Sequence, residues 1–191
     1  MVIRLNAMVG LVVVFAAGSA LAQEKKAAEP PAAAGPPVAK MSPEGRKYID
    51  GWLGKWSSSD ATLTAGDQKM TGGLKVDCEK VSSGWGTLCR ATFSFKGMPP
   101  MTNTFLMGWD LGTQEAHMFE VSDAGEVHNH AGKWTDDKSV SLVHQGKTFE
   151  GKDEKDACTA TWASAKEMKL ECVGTQGAAT MWTFSANSKK K

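Results

Sequence analysis

From about residue 55 onward, the chain alternates apolar and polar residues in short runs separated by Gly, Asp, Asn or Ser. This period of two predicts half-buried antiparallel strands joined by tight turns. The pattern marks segments near residues 55–63, 69–79, 86–95, 102–110, 115–122, 126–135, 139–145, 147–152, 157–163, 166–173 and 178–185. Closure of such a meander removes exposed strand edges. The sequence therefore predicts an all-β, up-and-down antiparallel barrel of about ten strands.

One short helix is expected before the first strand. Ser42 is a suitable N-cap, Pro43 suits the first helical turn, and Gly54 suits the end. A helix between these residues directs three apolar side chains toward the sheet, namely Tyr48, Ile49 and Trp52.

The N-terminal residues are typical of a secretory signal peptide. Arg4 precedes an apolar block at residues 8–17, and small residues end the segment at Ala22. Residues 23–41 are rich in Ala and Pro and indicate a linker. We expect a signal peptide at 1–22, this linker, a barrel domain at 42–187 and a basic tail at 188–191, in a periplasmic or secreted protein without a transmembrane anchor.

Charge and missing motifs narrow the function classes. The full chain has 22 basic and 21 acidic residues, and removal of Arg4 with the signal makes these numbers equal. A neutral chain argues against a nucleic-acid partner. The sequence lacks the G-x-S-x-G elbow, the glycine-rich phosphate loop and the C-x-x-C dithiol of common enzymes. An enzyme is thus the less favoured class, although it stays open.

Four cysteines allow three pairings, and strand geometry chooses among them. Residues that face each other in a hairpin have numbers with a constant sum, and side chains alternate between faces. Pairing Cys78 with Cys89 about the turn Ser83-Gly84 places apolar residues on one face and polar residues on the other. Pairing Cys158 with Cys172 does the same. We therefore predict these two disulfides, with catalytic thiols as the weaker alternative.

Two short motifs suggest a family. Leu53-Gly54-Lys55-Trp56, a helix end running into G-x-W at the first strand, resembles the opening of lipocalins and related calycins. Together with Gly108-Trp109-Asp110, it is similar to an exported bacterial lipocalin-like family described as domain of unknown function 1579. The resemblance covers about residues 41–186. It implies a barrel with an internal cavity and no established chemistry.

Three of the four histidines fall on one predicted face. His128 and His130 precede the loop Asp136-Asp137-Lys138, and His144 follows it. If all three loop residues turn, the histidines share the apolar face that also carries Trp134; a two-residue turn would mix polar and apolar residues. Because a shift of one residue exchanges the faces, the hydrophobic pattern favours the three-residue loop. The sequence thus predicts His128, His130, His144 and Trp134 on the inner wall.

The chemistry of these histidines stays open at this point. His-x-His on one strand with a third histidine on its neighbour can bind Zn²⁺ and leave a fourth position for water or substrate. The same side chains can instead contact a polar group of a ligand or have a structural role only. No acidic partner can be assigned to them from the sequence. No cofactor is assured; zinc is the ion that the pattern allows, and copper or haem stay open as alternatives.

The favoured function is that of an exported binding protein that holds an apolar or amphipathic small molecule in the barrel lumen. In this interpretation His128, His130, His144 and Trp134 contact the ligand. The alternatives are a periplasmic zinc-binding protein that uses the three histidines, and a structural envelope protein with no ligand.

Overall fold

A computed structural model describes residues 39–148 and 150–191. The predicted signal peptide and the predicted linker up to residue 38 lie outside the described residues. The elements are α1 (Pro43–Trp52), β1 (Gly54–Ala65), β2 (Gln68–Val81), β3 (Gly86–Phe95), β4 (Met101–Asp110), β5 (Glu115–Ser122), β6 (Val127–Trp134), β7 (Ser139–Lys147), β8 (Asp153–Ser164), β9 (Glu167–Gln176) and β10 (Ala179–Lys190).

The ten strands form a closed antiparallel barrel in which each strand pairs with its neighbours in sequence and β10 pairs with β1. The predicted fold class, a lipocalin-like barrel with a short N-terminal helix, is confirmed. In the described part of the chain, no helix combines the length and the apolar character that crossing a membrane requires.

Helix α1 begins and ends as the sequence predicts. Ser42 caps it, since the Ser42 hydroxyl accepts a hydrogen bond of 3.1 Å from the Gly45 amide. Pro43 occupies the first turn, and the helix ends at Trp52. The side chains that the pattern directs inward, Tyr48, Ile49 and Trp52, are all buried.

Helix α1 lies across one end of the barrel, which we call the closed end. Arg46 donates to the Gly84 carbonyl at 2.9 Å, in the turn between β2 and β3. From the opposite strands, the Trp134 indole donates to the Glu44 carbonyl at 3.2 Å and the Trp162 indole donates to the Gly51 carbonyl at 3.1 Å. These bonds fix the helix against both sides of the barrel. The other end, which carries the turn at residues 123–126, is the open end.

The strand registers agree with the predicted alternation of side chains between the two faces of each strand, in which residues of the same parity (all even or all odd numbers) share a face. Cys78 pairs with Cys89 across β2 and β3, and Cys158 pairs with Cys172 across β8 and β9. Both pairs form disulfides. Trp134 pairs with Val140, as a three-residue loop between β6 and β7 requires.

Two predicted boundaries differ from the structure. The described residues of the segment 147–152 do not form a separate strand, because β7 runs to Lys147 and the Thr148 amide then donates to the Lys152 carbonyl at 2.9 Å, which closes a turn. The tail predicted at 188–191 is largely strand. Ser188 is buried, and the Lys190 ammonium lies 5.2 Å from the centre of the Trp56 ring, so β10 continues to Lys190.

Candidate functional site

The lumen holds a cavity of about 380 Å³ in the half of the barrel toward the open end. Its walls come mostly from the inward positions of β1 to β4 and of β8 to β10. Alternation along these strands places apolar side chains inside. Those that form the walls include Leu63, Leu74, Phe93, Phe105, Leu170 and Phe184. The cavity is therefore a predominantly apolar chamber.

One part of the wall is polar, and we call it the polar patch: Glu120 on β5, His128 and His130 on β6, and Asp156 on β8. Glu120 pairs with His128 in the ladder between β5 and β6, so their side chains point to the same face. Asn103, on β4, donates a hydrogen bond to the Glu120 carboxylate. Burial raises the pKa of Glu120, because it disfavours the charged carboxylate. Carboxyl groups and imidazoles thus meet inside a predominantly apolar lumen.

His128 contacts one carboxylate of β8 closely and lies near a second. Its Nδ1 lies 3.0 Å from Asp156 Oδ2, and its Nε2 lies 3.6 Å from Glu154 Oε1. The hydrogen bond to Asp156 raises the pKa of His128, although burial acts in the opposite direction. Asp156 is only 4% exposed, so this pair is shielded from bulk water. The contact fixes the orientation of the His128 ring.

His130 lies deepest in the polar patch. It is 1% exposed, and its Nδ1 has no hydrogen-bond partner. Burial lowers the pKa of His130 to about 4, so the imidazole is neutral at pH 7. A buried polar atom without a partner costs about 1–3 kcal/mol. His130 therefore presents an unused polar atom inside the protein.

His144 lies beside the other two histidines but takes no part in the cavity wall. Its ring stacks on His128, with centroids 4.4 Å apart and planes inclined by 13°. Its Nδ1 lies 3.2 Å from the Asn129 carbonyl oxygen and 3.3 Å from the Asn129 amide. Gly146 leaves room for the ring, since a Cβ there would lie 2.5 Å from His144 Nε2. The expected grouping of three imidazoles is present, with His144 at its edge.

Trp134 does not join this group. It packs against Trp162, with ring centroids 5.5 Å apart, and the Lys47 ammonium lies 4.2 Å from its ring centre. Trp134 has the parity of the inward residues, but it lies at the closed end, where α1 fills the space. The structure thus separates Trp134 from the cavity that we expected it to line.

Donor atoms converge in combinations of histidine and carboxylate. Among the described residues, two sets of three have one donor atom from each member within 4.8 Å of the others. The first is Glu120, His128 and His130; the second is His128, His144 and Glu154. The set of three histidines predicted from the sequence is not among them. Each of the two sets contains two histidines and one glutamate, where the prediction had three histidines.

The carboxyl groups of the polar patch were not predicted, although the alternation contained a signal for both. Glu120 has the parity of Ala116 and Met118, which are buried. Asp156 has the parity of Cys158, but the predicted strand began one residue after it. Continuing the inward alternation from Met118 to Glu120, and from Cys158 back to Asp156, would have identified both acids.

Fold and site together define a class of protein: a closed ten-stranded lipocalin-like barrel with an apolar lumen and one polar patch. No known protein family matches the sequence, and a search of curated proteins finds no relative. The resemblance to the lipocalin-like family of unknown function thus stays a prediction.

Proposed function

We propose that this protein is an exported binding protein that holds one apolar or amphipathic small molecule in its lumen. The observation that carries the proposal is the cavity of about 380 Å³, whose walls are mostly apolar; the polar lining residues are the polar patch, Asn103 beside it, and Ser122, Asp123 and Glu126 near the open end. Pockets for small molecules commonly measure about 300–1,000 Å³ and combine apolar walls with a few polar groups. The lumen fits this description.

The distribution of polarity indicates how a ligand would be held. Apolar walls favour a ligand by removing its apolar surface from water, at about 25 cal/mol per Å². The polar patch lies to one side of the lumen, so a ligand with a polar group at one end has a preferred orientation. Asn103, Glu120 and His130 are the side chains that such a group would meet.

Export is part of the proposal. Disulfides form and persist mainly in oxidising compartments such as the bacterial periplasm or the extracellular space. Both disulfides join neighbouring strands of the barrel, and no cysteine is left free in the part of the chain that the structure describes. Two bridges of this kind support a periplasmic or secreted location.

Binding can be tested with the uncharged fluorescent probe N-phenyl-1-naphthylamine and a matched pair of variants. Ala91 lies on β3 with its side chain in the cavity wall, and Thr92 is the next residue on the same strand, with its side chain on the other face. Ala91→Phe should fill part of the lumen and weaken probe binding at least about tenfold, a loss of roughly 1.4 kcal/mol. Thr92→Phe adds the same ring outside and should leave the affinity unchanged.

The wild-type protein should bind the probe saturably, with one equivalent per chain. Circular dichroism and thermal melting verify that both variants fold. Absence of saturable binding in the wild type, or equal affinity for the two variants, would contradict a ligand site in the lumen. The first of these outcomes would favour a structural role in the envelope.

A further inference from the structure

We propose that Glu120, His128 and His130 form a binding site for one divalent transition-metal ion, with Zn²⁺ as the preferred ion. The site would lie on the inner wall of the barrel, within the polar patch. This inference goes beyond the binding of an apolar ligand: that binding depends mainly on the apolar walls of the lumen, whereas the metal site depends on the donor atoms of the polar patch, of which Glu120 and His130 also face the lumen. Either one can hold without the other.

The barrel brings the three donors together through its strand register. Glu120 pairs with His128 in the ladder between β5 and β6, and His130 follows two residues later on the same face of β6. One donor atom from each residue lies within 4.8 Å of the other two. Zn²⁺ binds imidazole nitrogen at about 2.0–2.1 Å and carboxylate oxygen at about 2.0–2.2 Å. Small side-chain rotations would therefore place all three donors around one ion.

The unpaired nitrogen of His130 is an independent indication of a missing partner. The side chain is 1% exposed, lines the cavity and leaves Nδ1 without a hydrogen bond. Buried polar atoms in proteins nearly always have a partner. A metal ion would satisfy this nitrogen, because neutral imidazole is a strong ligand for Zn²⁺.

Asp156 supplies the outer contact that a metal-binding histidine usually has. A histidine ligand normally donates its second N–H to a carboxylate, a backbone carbonyl or a water molecule, which fixes the tautomer and the ring orientation. Asp156 Oδ2 lies 3.0 Å from His128 Nδ1 and is placed to accept that hydrogen bond. His128 Nε2 is then left for the ion, because its nearest carboxylate oxygen, Glu154 Oε1, lies 3.6 Å away, which is too far for a hydrogen bond. The carboxylates of Glu120 and Asp156 together balance the charge of a divalent ion.

Ring orientation favours this set over His128, His144 and Glu154. A metal ion binds imidazole along the nitrogen lone pair, which lies in the plane of the ring. The rings of His128 and His144 are stacked and inclined by only 13°, so their lone pairs do not converge on one point. The rings of His128 and His130 are inclined by 65°, so lone pairs lying in the two ring planes can point to a common position between the side chains. His144 Nδ1 also lies against the Asn129 backbone.

The donor types select the class of ion. Two imidazoles and one carboxylate suit Zn²⁺ and neighbouring transition metals better than Mg²⁺ or Ca²⁺, which prefer oxygen ligands throughout. Three protein ligands leave a fourth position on a tetrahedral ion. That position would face the lumen and would be open to water or to an anionic group.

The test uses tag-free protein that has been treated with a chelator and then dialysed. Zn²⁺ affinity is measured by competition with a chromogenic chelator, and Co²⁺ is added separately to record the visible spectrum. We expect one Zn²⁺ per chain and the intense visible bands of four-coordinate Co²⁺. His130→Ala and the shape-matched Glu120→Gln should each weaken Zn²⁺ binding more than about 100-fold, a larger effect than is typical for outer contacts.

Three further variants separate this site from its neighbours. His144→Ala and Glu154→Gln change the competing set and should leave Zn²⁺ affinity within about threefold of wild type. Asp156→Asn should weaken Zn²⁺ binding about 10–100-fold, as expected for an outer contact. Near-ultraviolet circular dichroism checks folding, and Glu120→Gln keeps the test valid if His130→Ala does not fold.

Two results would overturn the proposal: no Zn²⁺ or Co²⁺ binding by the wild-type protein, or binding that is lost in His144→Ala and Glu154→Gln but kept in Glu120→Gln. The fluorescent probe is titrated into the same samples. Probe binding without metal would refute only the metal site, and metal binding without probe would refute only the apolar ligand.

Discussion

The two ends of this barrel use the same strands for different purposes. At the closed end, α1 inserts Tyr48, Ile49 and Trp52 among the strands, and this part of the lumen is filled. The Tyr48 hydroxyl donates to the His117 carbonyl at 3.1 Å, and the Trp56 indole donates to the Trp52 carbonyl at 2.7 Å. Toward the open end, no helix from the described residues enters, and a cavity of about 380 Å³ is left between the walls.

This difference shows how a small barrel can be stable and still keep space inside. Close packing at the closed end stabilises the fold, and so do the hydrogen bonds of the Tyr48 hydroxyl and the Trp56 indole. The open half contributes less packing and instead presents apolar walls and a polar patch. Substitutions at the two ends should therefore have different consequences.

The largest expected effect comes from removing a large aromatic side chain at the closed end. Trp52 is 4% exposed and packs edge-on against Trp162, with ring centroids 5.4 Å apart. Trp52→Ala should lower the free energy of unfolding by about 3–5 kcal/mol. Trp182 lines the cavity and is only partly buried. Trp182→Ala should cost on the order of 1–2 kcal/mol, because less apolar surface is lost from the core.

Urea unfolding of both variants measures this contrast. Trp182→Ala should also alter probe affinity in the lumen. Equal losses of stability at the two positions would show that the open half is packed as tightly as the closed end.

The two disulfides offer a second comparison. Cys78–Cys89 belongs to the core of the closed end, and Cys158–Cys172 belongs to the core of the open half. They span 11 and 14 residues, so loop-closure entropy predicts nearly the same contribution, about 3 kcal/mol each. Replacing either pair with alanine should lower the free energy of unfolding by that amount. Removing Cys78–Cys89 should cost slightly more, because Cys89 is fully buried.

Differential scanning calorimetry of the two double variants gives the measurement. A markedly larger loss for the pair in the open half would contradict the assignment of the tighter packing to the closed end.

A smaller effect is expected from Tyr48, the only tyrosine of the chain. Burial raises the pKa of Tyr48 above its usual value of about 10, because the charged phenolate is disfavoured inside the protein. The unfolded chain therefore loses this proton first, and stability falls as the pH rises above about 10. Absorbance at 295 nm should show no tyrosinate until the protein unfolds. Tyr48→Phe removes one hydrogen bond and should cost about 1 kcal/mol.

Titration of Tyr48 near pH 10 in protein that is still folded would contradict this burial. The Tyr48→Phe protein is the blank for the absorbance measurement.

The smallest effect is expected at Asp60, on the outer surface where β1 meets β10. Its carboxylate accepts hydrogen bonds from the amide and the side chain of Asn187, at 3.2 and 2.8 Å. Hydrogen bonds from Ser58 and Asn187 lower the pKa of Asp60. The contribution of this carboxylate to the free energy of unfolding is present above the pKa of Asp in the unfolded chain, near 3.9, and is lost as the pH falls below that value. Because the group is exposed, Asp60→Ala should cost less than about 0.5 kcal/mol at pH 7.

Urea unfolding at pH 7 and pH 3 checks this prediction: the difference between wild type and Asp60→Ala should shrink at the lower pH. A difference that grows with acidity would mean that the carboxylate is destabilising.

Much of the fold could be predicted because alternation in a strand leaves few choices. The disulfides and the loop after Trp134 followed from the requirement that apolar residues share one face. Alternation predicts whether a side chain points into or out of the barrel, however, and does not predict how far along the barrel axis it lies. Trp134 and His130 have the same parity, yet Trp134 lies at the closed end and His130 lines the cavity. The helix that fills the closed end separates them.

The polar patch was predicted only in part for a related reason. His128 and His130 were found from their own strand, whereas Asp156 lies two strands away on β8. Its contact with His128 depends on barrel curvature and on side-chain length, which a single sequence pattern does not specify. The strand predicted at 147–152 was wrong because its residues alternate as a strand does but form a turn.

Binding of one small molecule in the lumen can be tested by native mass spectrometry of protein purified from its own cells. We expect one adduct of small-molecule mass per chain, lost on gentle activation and reduced in Ala91→Phe but not in Thr92→Phe. A protein of bare chain mass that also binds no N-phenyl-1-naphthylamine would contradict it.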